Sequence, residues 1–116
     1  MTLPSKLRKV TIHVAGDGRH IVGLNIKIPL ICQNGYEVPS IEESLLSYAQ
    51  TVTIVNHTAR AELKTQAEGL YKSGRVDMDL QFTVSGTVKG RLYVDIPTRS
   101  KQFGTCTNTL KFTATT

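Results

Sequence analysis

Few residues in this 116-residue chain have the types and spacing that chemistry needs. Three histidines, His13, His20 and His57, stand too far apart for a metal-ligand motif. Asp77 and Asp79 are two apart in an alternating segment, so both carboxylates reach one strand face. A solvated outer face accounts for such a pair more simply than acid–base catalysis. Ala15-Gly16-Asp17-Gly18-Arg19 has the composition of a phosphate cradle. It lies between two strand patterns rather than before a helix, which makes it a hairpin turn. No nucleophile elbow, P-loop or dinucleotide fingerprint is present. The expectation is a protein that is not an enzyme, with no cofactor, metal or small-molecule substrate.

The stronger chemical signal is cationic. Lys and Arg number 14 against 9 Asp and Glu, a net charge of +5 that favours an anionic partner. Lys9, Thr11, His13, Arg19, Asn25, Lys27, Thr109 and Lys111 all fall on the polar side of alternating segments. Such a sheet face suits phosphate contacts and hydrogen bonds to unstacked bases. No aromatic stacking platform accompanies this set.

The elements that must position these residues read mostly as strands. Residues 7–14 alternate, with Val10, Ile12 and Val14 on one side. A turn at 15–18 leads to a return strand over 19–30. Its apolar face is Val22, Leu24, Ile26 and Ile28; Arg19, Ile21, Gly23, Asn25 and Lys27 form the other. Residues 32–44 read as a loop, with a short helical turn at Ser40-Ile41-Glu42-Glu43. A β-branched strand over 47–56 follows. Leu63, Ala67 and Leu70, with Ala59 and Tyr71, then recur at helical spacing. Thr58 is a candidate N-cap, and Lys72 with Gly74 a candidate C-terminus. One long helix over 41–72 also fits the period, but the Thr51–Val55 run of β-branched residues argues against it. Strands follow at 75–84, 91–96 and 107–115, separated by a turn and a polar loop at 97–104.

The expected fold is a single α+β domain over 1–116. It has an antiparallel sheet of about five to six strands plus a hairpin, and one main helix packed on one face. A helix of about 15 residues spans only about 22 Å, too little to cover that sheet. A partner's helix would complete the cover, giving an interlocked homodimer. The spacing leaves open whether Cys32 and Cys106 meet; because two cysteines make no disulfide scaffold, free thiols in a reducing compartment are the expectation. No apolar run is long enough for a membrane span, and no secretory signal opens the chain.

Two segments resemble the coat proteins of small single-stranded RNA bacteriophages. Lys9-Val10-Thr11-Ile12-His13-Val14, a turn, and Leu24-Asn25-Ile26-Lys27-Ile28-Pro29 are similar to that family's central hairpin. Thr51-Val52-Thr53-Ile54-Val55-Asn56-His57-Thr58, then Ala61-Glu62-Leu63 and Gly69-Leu70-Tyr71-Lys72-Ser73-Gly74, are similar to its last strand and the following helix. Segments like the family's outer hairpin come after this helix, so the order looks circularly permuted. The resemblance implies a capsid protein that dimerises, self-assembles into an icosahedral virion and packages single-stranded genomic RNA. It would be made in the host bacterial cytoplasm. Val52, Ile54, Leu63, Ala67, Leu70 and Tyr71 would form the dimer interface. RNA would lie on Lys9, Thr11, His13, Asn25, Lys27, Thr109 and Lys111, with Ala15, Ile21 and Gly23 on the same face. Other readings of the same features are a small dimeric RNA-binding regulator and a tail-tube-like phage protein, the latter suggested by the Met1–Leu7 opening.

Overall fold

A computed structural model describes residues 9–46 and 50–115. The chain there is all strand. Its elements are β1 (Lys9–Val14), β2 (His20–Cys32), β3 (Glu37–Ser44), β4 (Val52–Thr53), β5 (Thr58–Lys64), β6 (Arg75–Phe82), β7 (Thr87–Pro97) and β8 (Thr105–Thr115). They form one antiparallel sheet of order β1-β2-β8-β7-β6-β5, with β3 and β4 also on β2. β2 serves both halves of the sheet. One of its edges carries β1 and then β8; the other carries β3 and then β4. β4 runs into β5 through the tight turn Val55–Thr58, so the sheet curls until its far end is tied back to β2.

The main helix does not exist among the described residues. Residues expected to form it make β5 and a loop. Two local features decide this. Asn56 and His57 both take positive φ, 51° and 63°. That is the geometry of a type I′ turn, whose twist matches a hairpin rather than a helix start. Beyond it, Ala59, Ala61, Leu63 and Thr65 turn inward while Arg60, Glu62 and Lys64 are exposed. This two-residue period competes with the helical one and wins, because β5 then pairs with β6 from Thr58↔Gln81 to Lys64↔Arg75. Gly74, expected to end the helix, has another use. A Cβ there would meet the carbonyl of Asp95 and come within 2.7 Å of Ile96 Cα. Its glycine identity allows two backbones to touch.

The expected loop at 32–44 is strand β3 over most of its length, and the short helical turn at Ser40–Glu43 is absent. The strand expected over 47–56 shrinks to the two residues of β4. Ser47, Tyr48 and Ala49 lie outside the described residues, as do residues 1–8 and so the Met1–Leu7 opening. The expected strands at 75–84, 91–96 and 107–115 are present, but β7 begins at Thr87, inside the expected turn, and β8 at Thr105, giving an 11-residue ladder between them.

The core lies inside the curl. Ile21, Leu24, Ile28 and Leu30 of β2 share one buried cluster with Val76 and Leu80 of β6, Val88 and Leu92 of β7, and Leu110 and Phe112 of β8. One face assignment changes. The β1–β2 register slips between His13↔Gly23 and Val14↔Ile21, so Val22 is an extra residue. Such a bulge reverses the facing of what precedes it. Ile21 is therefore fully buried, while Val22 is 41% exposed.

Cys32 and Cys106 are directly opposite on β2 and β8 and form a disulfide. The expectation of free thiols is thereby corrected. It treated the cysteines by number alone, whereas pairing of distant strands brings together residues 74 apart in sequence. Closing a loop of that length restricts the unfolded chain by about 4 kcal/mol in the entropic account. Cys32→Ser with Cys106→Ser should lower unfolding stability by about 2–5 kcal/mol, read from denaturant midpoints, with an equal loss on reducing the wild type. An unchanged midpoint would show that the strand ladder holds the β2–β8 junction without it.

Candidate nucleic-acid interface

The expected binding set divides between two surfaces. Lys9↔Lys27 and Thr11↔Asn25 are cross-strand partners on β1 and β2. Together with Glu42, Glu43 and Ser44 of β3 they line one groove. His13 sits at the end of this row, its ring against Gly23, where a Cβ would come within 3.0 Å of His13 Cδ2. Arg19 belongs to the 15–19 turn instead. Its N–H donates to Asp17 Oδ1 (2.8 Å), and Asp17 Oδ2 meets His20 Nδ1 (2.9 Å). The Arg19 N–H, then His20, hold the Asp17 carboxyl below its usual range. Ala15 lies in the same turn, and Ile21 leaves the polar face for the core.

β3 changes the electrostatics of this groove. Glu42 Oε1 approaches Lys27 Nζ at 3.5 Å, and Glu43 stands opposite Ile26. Lys27 is thus countered by Glu42, whereas Glu43, opposite the buried Ile26, belongs to the inward face. Burial, with the charge of Glu68 adding to it, pushes the Glu43 carboxyl up. A carboxyl whose folded pKa is raised favours the folded state below its unfolded pKa, and loses that advantage as pH rises through the folded value. Glu43→Gln should therefore raise the melting temperature at pH 7 and leave it nearly unchanged at pH 3. Equal effects at both pH values would assign the change to packing rather than charge.

The second surface is the outer face of β5–β8. Its rows follow from the register. One runs Arg60, Asp79, Arg91, Lys111; its neighbours run Thr58, Gln81, Lys89, Thr113 and Glu62, Asp77, Tyr93, Thr109; a fourth runs Lys64, Arg75, Asp95, Thr107. Three of its four acids are occupied by two arginines. Arg60 Nε meets Asp79 Oδ1 at 3.3 Å, and Arg75 reaches Asp77 at 3.6 Å and Asp95 at 3.7 Å. Asp77 and Asp79 do share a face, but as members of these ion pairs.

Lys89, Arg91 and Lys111 form no ion pair among the described residues. Arg91 and Lys111 stand directly opposite one another, an arrangement that costs stability by itself. Together with Lys89, Asp79, Gln81 and Thr113 they line a shallow groove. Tyr93 follows Arg91 on the same face, half-buried, with the Arg75 guanidinium 5.9 Å from its ring centroid. Of the expected RNA residues only Thr109 and Lys111 lie on this surface. Lys89, Arg91 and Tyr93 were missed. The alternation of 91–96 contained the signal for the last two, but the neighbouring strands could not be known without the topology.

The expected dimer residues do not form a common surface. Val52 and Leu63 are buried in the chain's own core, and Ile54 and Tyr71 pack against it. Ala67 and Leu70 are exposed. The interlocked helical interface is accordingly withdrawn together with its helix. Comparison with protein-family models, curated proteins and solved structures finds no match to this chain. The coat-protein resemblance therefore rests on the quoted residues alone.

Proposed function

We propose that this protein is a virion structural protein that holds single-stranded RNA against the outer face of β5–β8. The observation that carries this reading is the unpaired cluster of Lys89, Arg91 and Lys111 beside Tyr93. Opposed like charges are relieved when a phosphate lies between them. Tyr93 and the Arg91 plane offer stacking surfaces for unpaired bases, the usual means of single-strand recognition. An open sheet face with a shallow groove suits a flexible strand better than a duplex. The Cys32–Cys106 disulfide suits a virion better than a regulator working in a reducing cytoplasm.

The disulfide also favours a second reading, an extracellular or tail-tube-like subunit that assembles without RNA. Electron microscopy of the assembled protein separates the two. Closed particles containing RNA support the first; open filaments free of RNA support the second.

RNA binding is tested by fluorescence anisotropy with a single-stranded oligoribonucleotide across a salt series. Lys89→Ala with Lys111→Ala should weaken binding and reduce the salt slope by about 1.4, at about 0.7 per charge for single strands. Lys9→Ala with Lys27→Ala should change both less, because Lys27 is already paired with Glu42. Tyr93→Leu should cost about 1–3 kcal/mol of affinity with the slope unchanged. An unaltered affinity in the β7–β8 double variant, or equal binding to a sulfated polysaccharide, would overturn the assignment to RNA.

A further inference from the structure

Next to the cation cluster, the outer face of β8 is the floor of a second groove. Tyr93 and Asp95 of β7 stand on one side of it, Ile31 of β2 on the other, and Thr107 and Thr109 lie between them. The register explains the arrangement. Thr107 is opposite Asp95 on one neighbouring strand and opposite Ile31 on the other, and Thr109 is opposite Tyr93. Directly opposed residues of an antiparallel pair share a face, so all five side chains rise from the same side of the sheet. β7 and β2 lie two inter-strand steps apart, about 10 Å at about 4.8 Å per step. Between the side chains that line it, such a gap leaves room for one planar ring.

The lining of this groove differs from that of the cation cluster. Ile31 is 54% exposed and makes an apolar wall across the floor from Tyr93. An unstacked base packs against walls of this kind. Asp95 is the one charged residue among the described residues that line the groove. Its side chain is 29% exposed, and among the described residues it meets only Arg75, through Oδ2 at 3.7 Å. Arg75 stands on β6, on the side of β7 away from the groove. At that distance the contact is an ion pair without a hydrogen bond, so both carboxylate oxygens keep acceptor sites.

We propose that this groove takes a guanine base of the bound RNA strand, with the Watson–Crick edge of the base on the Asp95 carboxylate. The inference rests on the RNA reading and adds a base preference to it. An ionised carboxylate only accepts hydrogen bonds. Of the four bases, guanine alone presents two adjacent donors on that edge, N1–H and the N2 amino group, which match the two carboxylate oxygens. Adenine, cytosine and uracil each set an acceptor beside their donor, and the carboxylate repels it. The order of residues along the strands fits one nucleotide. Arg91 with Lys111, Tyr93 with Thr109, and Asp95 with Thr107 are successive rows on one face, about 7 Å apart at about 3.4 Å per residue. A phosphate on the first row sets the base beside Tyr93 on the second and its far edge at Asp95 on the third.

Oligouridylates that differ only in one central purine test this, read by fluorescence anisotropy of the full chain at constant salt. With guanosine at the centre, binding should be roughly tenfold tighter than with inosine or adenosine, the size of one charge-assisted hydrogen bond. Inosine keeps the N1–H of guanine and lacks its N2 amino group, so this comparison isolates one donor and needs no variant. Asp95→Asn should bring the guanosine-to-inosine ratio close to one, because an amide offers a single acceptor oxygen. Free GMP, with one phosphate, should compete only weakly with the guanosine oligomer. Equal binding of the three oligomers by the wild type, an unchanged ratio in Asp95→Asn, or GMP binding as tight as the guanosine oligomer would each overturn the proposal. Equal binding of the three leaves the RNA reading standing; failure to bind any of them removes both.

Discussion

Everything in this fold depends on the junction between β2 and β8. It is short, with only Ile31↔Thr107 and Cys32↔Cys106 as ladder pairs. Yet it joins a half built on β2 to a half built on the β6–β7–β8 ladders. The disulfide fastens it where the sheet is narrowest. Around it the chain adds further ties: Gln33 Oε1 accepts from Thr105 N at 3.1 Å, Tyr36 packs edge-on against Phe103 at 5.2 Å between centroids, and Asn108 bonds to the Pro29 carbonyl. A junction with so few ladder bonds needs side-chain ties, because each net hydrogen bond contributes only about 1 kcal/mol. The curl, the enclosed core and the separation of the two polar faces all follow from where this junction begins and ends.

The two polar faces show how composition misleads about charge. Both contain a directly opposed cationic pair, Lys9↔Lys27 and Arg91↔Lys111. They differ in what the third strand supplies. β3 brings Glu42 to within 3.5 Å of Lys27. On the other face Asp79 of β6 stands opposite Arg91 but pairs with Arg60, so Lys89, Arg91 and Lys111 form no ion pair among the described residues. The functional difference is thus one of neighbours, not of residue count. Net charge alone would have ranked the two faces equally.

This is also the limit of what could be read in the sequence. Strands β6 and β8, and β7 from Arg91 on, were legible because their alternation is uninterrupted; Thr87–Gly90 was read as a turn because glycines flank it. β1 and most of β2 were legible for the same reason, apart from the bulge at Val22, which no period reveals. The helix was misread because Leu63, Ala67 and Leu70 carry a true helical spacing, while Ala59, Ala61, Leu63 and Thr65 carry a strand spacing built from small residues. Alanines weigh little in a hydrophobic pattern, so the wrong period looked stronger. The Asn56-His57 turn was the decisive local signal, since asparagine and histidine are among the non-glycine residues that most readily take a left-handed backbone. β3 was passed over because Pro39 reads as a break, whereas at a sheet edge it is tolerated. The disulfide and the cation cluster were beyond reach for one shared reason: each joins residues that only the strand order makes neighbours.

Pro29 connects these observations physically. A residue with an N–H at that position would let the β2–β8 ladder continue past Thr107. β8 would then stay beside β2, and β1 could not hold its present place on the same edge. The hairpin of β1 and β2 would lose its partner, or β8 would lose the divergence that carries Lys111 away from Lys27. The loss of one donor therefore does three things at once. It ends the β2–β8 ladder at Thr107, gives β1 room on β2, and places the two cationic pairs on different surfaces. Lys27 stays paired with Glu42 of β3, and Arg91 and Lys111 lie on the other face with no ion pair among the described residues.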